Sequence, residues 1–68
     1  MERFQIPMLA GEILLTNGAE IFRVEQTIER MAQALGAERS DVLVVLSGIQ
    51  ASFSVQQQVY TYIRRVRM

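Results

Sequence analysis

Cysteine, histidine, lysine and tryptophan are all missing from these 68 residues, and proline occurs once. Without cysteine there is no disulfide framework and no thiolate metal site. Losing histidine, cysteine and lysine together removes the commonest general base, the best nucleophile and the Schiff-base amine. Autonomous catalysis is not expected, and no cofactor is implied. Glu25 and Glu29 stand one helical turn apart, but two carboxylates are too few ligands for a specific cation site.

Long apolar runs are absent too. Residues 42–63 carry no charge, yet the longest purely apolar run is residues 42–46, and Ser47, Gln50, Ser52, Ser54 and Gln56 to Gln58 break up the rest. A membrane span needs about 20 predominantly apolar residues. No basic segment followed by an apolar one stands at the N-terminus, so no targeting leader is read there. The piece reads as soluble. Neither sign of charge dominates: residues 1–41 hold four arginines against seven acids, net −3, and residues 42–68 hold three arginines and no acid, net +3. That balance argues against a nucleic-acid footprint, which needs a broad basic surface.

What is present is a globular composition, 50% hydrophobic. The length allows one domain, with a core so small that self-association would help it. Residues 1–5 read as a frayed lead-in or the tail end of an upstream segment, and Pro7 suits the first turn of a helix. Met8, Leu9, Ile13, Leu14 and Leu15 then recur at helical spacing, with Glu12 and Thr16 outward. Asn17-Gly18 tolerates the left-handed conformation that closes a helix. The first helix is placed at about 7–17. Ile21, Val24, Ile28, Met31 and Leu35 step by three and four, which predicts a second helix from about 20 to 35, ended by Gly36.

After a polar connection at 37–41 the period shortens to two. Residues 42–46 are β-branched and apolar on both faces. Ile49, Ala51, Phe53 and Val55 alternate with polar residues, and residues 59–66 form a third strand-like run. Ser47-Gly48 has the length of a two-residue hairpin loop, and Gln56 to Gln58 can form the next turn. The fold class is α+β: two helices packed on one face of a three-stranded antiparallel meander, α-α-β-β-β.

Two constellations stand out. Glu20 and Arg23 share a helix face and can pair, while Glu25 points elsewhere, towards Glu29; a solvated pair is the plain reading, and an Arg23 that reaches the sheet or a partner is the functional one. In the first strand Val42, Val44 and Leu46 face one way and Leu43 and Val45 the other. Two helices cover one side of a sheet only, so Leu43 and Val45 are candidate interface residues for another copy or a partner. The opposing reading has Tyr60 and Tyr62 shield that second face. Arg64-Arg65 and Arg67 read either as charges guarding an edge strand or as a basic cluster beside a membrane.

Leu14-Leu15, Gly18-Ala19-Glu20, Arg23-Val24-Glu25 and Thr27 closely resemble the opening of the soluble N-terminal region of the threonine/serine exporter family of bacterial membrane proteins. The likeness runs from about Leu9 to Val66, with Leu46-Ser47 departing where many members carry proline or threonine before Gly-Ile. It makes Gly18, Glu20, Arg23 and Glu25 a candidate functional motif. It implies that residues 1–68 are a single soluble domain, the cytoplasmic head of a larger transporter. That head would work in ion-driven efflux of threonine, serine or related small metabolites, and its partner would be the membrane-embedded transport domain, of the same or another chain. The alternative is a stand-alone dimerisation or ligand-binding module. A serine hydrolase built on Ser40 or Ser47 lacks a base.

Overall fold

The computed structural model describes residues 2–67. Helix α1 runs Gln5–Thr16 and helix α2 Ile21–Ala34; strands β1 Arg39–Val45, β2 Gly48–Val55 and β3 Gln58–Arg65 follow in an antiparallel sheet of order β1-β2-β3. The α+β meander expected from the change of period is the fold observed.

Both helices stop by the same chemistry. Beyond α1, Gly18 N–H donates to Leu15 O and Ala19 N–H to Leu14 O; beyond α2, Gly36 donates to Gln33 O and Ala37 to Ala32 O. Each is a closing motif with a left-handed glycine, at φ +87° for Gly18 and +106° for Gly36. Ala32 and Ala37 are both buried, adding the apolar contact that accompanies such a stop. The Arg3 guanidinium then donates to Leu35 O at 2.8 Å and occupies one of the carbonyls that the end of α2 leaves free.

The core lies between the helices and one sheet face: Phe4, Met8, Leu15, Val24, Ile28, Ala32, Val44, Ile49, Ala51, Phe53 and Val66. Helix α1 approaches closely because residue 11 has no side chain. A Cβ built there would come within 2.5 Å of Ile28 Cδ1 and 3.2 Å of Ile49 Cδ1. Gly11 thus lets α1 contact α2 and β2 at once.

Four expectations need correction. The lead-in is not frayed: Phe4 is buried and stacks on Phe53 with centroids 4.9 Å apart, and α1 begins at Gln5 (Met1 lies outside the described residues). Position 4 therefore starts the inward stripe of α1, continued by Pro7, Met8, Gly11 and Leu15, which leaves Leu9 and Ile13 exposed. Glu12 is turned partly inward, towards Arg64. The first hairpin loop is Leu46-Ser47, since Gly48 already pairs with Val45; Leu46 sits in the turn and is exposed rather than core. Gly48 serves instead the close passage of β3, because a Cβ there would meet Arg64 O at 3.1 Å.

Candidate functional site

The matched segment joins α1 to α2, and Gly18, Ala19, Val24 and Glu25 can each be followed to a physical task. Gly18 and Ala19 form the stop just described. Glu20 is the N-cap of α2 in extended conformation, φ −63° and ψ 144°, although its carboxylate makes no capping hydrogen bond. Val24 is fully buried under the sheet.

Glu25 turns to β1. Its Oε2 accepts the Val44 backbone N–H at 3.0 Å. That N–H points away from β2, at the free edge of the sheet, so the carboxylate occupies a donor that an intruding strand would otherwise use. Sequence spacing alone would not find this role, because it joins residues 19 positions apart.

Arg23 is exposed, and among the described residues it pairs with no carboxylate; the ion pair with Glu20 expected from their spacing is absent. Nor does Arg23 hydrogen-bond to the sheet among the described residues. Glu20 and Arg23 are therefore the two charged members of the segment directed at solvent.

The second candidate area is the outer sheet face. Leu43 and Val45 are 59% and 49% exposed, while Val44 between them is buried. The register places Leu43, Gln50 and Ile63 side by side across the three strands. With Val45, Gly48 and Arg65 they line a shallow apolar depression where Gly48 contributes no side chain. Tyr60 and Tyr62 do not shield this face. They pack inward, Tyr60 5.8 Å from the Phe4 ring and Tyr62 5.8 Å from that of Phe53.

The arginines at the end of β3 are divided. Arg64 lies on the helix side and pairs with Glu12 of α1; Arg65 borders the outer depression and Arg67 is exposed. Tyr62 donates its hydroxyl to Glu2. Burial first, then this carboxylate, pushes the phenol up to about 12. No group of three or more acids that could hold a metal ion occurs among the described residues.

The described residues form a two-layer module whose outer sheet face is apolar at Leu43, Val45 and Ile63. The family model described as "Putative threonine/serine exporter" (ThrE) matches residues 5–68, nearly the whole chain, and the chain belongs to this family. The family is described as one of exporters, which relates the chain to membrane transport. No helix among the described residues is long and apolar enough to cross one. No curated protein and no solved structure matches the chain.

Proposed function

We propose that this chain is the cytoplasmic N-terminal head of a threonine/serine exporter-like transporter and that it assembles or regulates the transport domain. The observation that carries this reading is the family match over residues 5–68. An exporter needs a path through the bilayer, and no helix among the described residues is long and apolar enough to cross it. The head's contribution to efflux of small amino acids or related metabolites is then made through contact. Leu43 and Val45 supply the apolar surface for docking on the transport domain, and Glu20 and Arg23 supply solvent-directed charges in the matched segment.

The test uses cells in which this exporter is the route of threonine efflux. Replacing Leu43 and Val45 together by lysine should cut efflux several-fold while the amount of transporter in the membrane stays the same. These 68 residues hold no cysteine, so Arg23→Cys, in a transporter whose cysteines elsewhere are replaced by serine, gives a unique label. A membrane-impermeant maleimide should reach that label only after the cells are opened. Unchanged efflux from the lysine variant, or labelling of intact cells, overturns the reading.

A further inference from the structure

The two edges of the sheet are treated differently. At β1, α2 lies alongside and Glu25 holds the Val44 N–H. At β3 nothing comparable is found among the described residues. Val66 N–H donates to Ser47 O, which sets the alternation: the backbone groups of Tyr60, Tyr62 and Arg64 face β2, and those of Val59, Thr61 and Ile63 face outward. Among the described residues these outward groups have no hydrogen-bond partner. The side chains beside them are the two most exposed large hydrophobics among the described residues, Ile63 at 80% and Val59 at 65%.

The order of residues along this edge is nearly palindromic: Val59-Tyr60-Thr61-Tyr62-Ile63. We infer that two copies of this chain join edge to edge through β3, antiparallel about a two-fold axis at Thr61, into one six-stranded sheet. An isologous interface requires a surface complementary to itself, and a palindromic strand provides one. Thr61 stands opposite its own copy. Val59 meets the partner's Ile63, and Tyr60 meets the partner's Tyr62.

The backbone agrees with this register. Val59, Thr61 and Ile63 are the residues whose N–H and C=O groups are free, and opposite one another they form doubly bonded pairs. Charge selects the direction. All the charge of β3 sits at one end, on Arg64 and Arg65. Parallel pairing would bring four guanidinium groups together, whereas antiparallel pairing sends them to opposite ends and sets Arg64 against the partner's Gln58.

The inference goes beyond the exporter reading and rests on β3 alone. Leu43 and Val45 stay free in the paired sheet; Ile63 borders both surfaces, but Val59 lies outside the depression, so Val59→Lys separates the two contacts.

Sedimentation of the full chain at high micromolar concentration should show a dimer. Val59→Lys and Ile63→Glu, each at an exposed position, should be monomers with unchanged circular dichroism. The double variant V59K/I63E should recover the dimer, since the ammonium introduced on each copy then faces the carboxylate introduced on the other. Rescue within one chain is ruled out, because positions 59 and 63 are about 13 Å apart along a strand. A wild-type monomer, which would leave the edge to another protein's strand, overturns the inference. So do single variants that remain dimeric, or a double variant that fails to regain the dimer.

Discussion

Gly18 carries the joint between the helices on its backbone alone. A Cβ at this position would meet nothing within 4 Å, so a substitution there tests conformation without a steric clash. At φ +87° a β-branched residue is strained. Gly18→Val should lower stability by more than about 1 kcal/mol with little change in the denaturant slope. Equal urea midpoints for the two proteins would rule that conformation out. Tyr62 gives a residue-scale test of the N-terminal segment. Its phenol, ordinarily near 10, is pushed up to about 12 by burial and by Glu2. The folded state therefore favours the protonated phenol. The stability this contributes is whole below the unfolded value near 10 and disappears as pH climbs through about 12. Tyrosinate absorbance should show a late ionisation that Tyr62→Phe abolishes and Glu2→Gln brings down; a Glu2→Gln profile identical to wild type would mean that the segment does not hold Tyr62.

At the scale of elements, the second helix was the most legible part of the chain, because five apolar residues in register leave one face to bury. The start of the first was not. Phe4 lies too near the end for any window to register a period, and its burial comes from a ring stack with Phe53, 49 positions away. The roles of Glu25 and of the pair Glu12–Arg64 were hidden for the same reason, since they appear only once the helices lie on the sheet. Turn chemistry misled once and hid a strain once. Gly48 drew the first hairpin loop one residue too far along. In the second, Gln56 and Gln57 both adopt positive φ, 51° and 69°, the type I′ geometry that Asn-Gly favours. The Glu38 carboxylate supports this turn by accepting Gln56 N–H at 3.1 Å. Left-handed conformation costs an ordinary residue about 1–2 kcal/mol. Gln56→Asn with Gln57→Gly should therefore raise stability by about 1 kcal/mol, read as a higher denaturation midpoint; no gain would mean the loop is not of this type in solution.

For the whole molecule, the consequence of a two-layer fold is that β1 has one face in the core and one outside, although its sequence is apolar on both. Composition could not say which face is which; the register does, by setting Val44 beside Ile49 beneath the helices and Leu43 beside Gln50 on the open side. In a domain this small, net stability is a few kcal/mol, so placing a charge in the core is not survivable. Val44→Lys should leave the chain unfolded, because the ammonium has no buried partner and burying an unpaired charge costs several kcal/mol. Val45→Lys, one residue along, should fold with a melting temperature within a few degrees of wild type, its ammonium in water. It should also remain a dimer, since Val45 lies on β1, at the far side of the sheet from β3. Thermal melts and sedimentation of the two variants decide the matter together. Unfolding of Val45→Lys would reverse the faces of the sheet, and a folded monomeric Val45→Lys would move the copy-to-copy contact from the β3 edge to the outer face of β1.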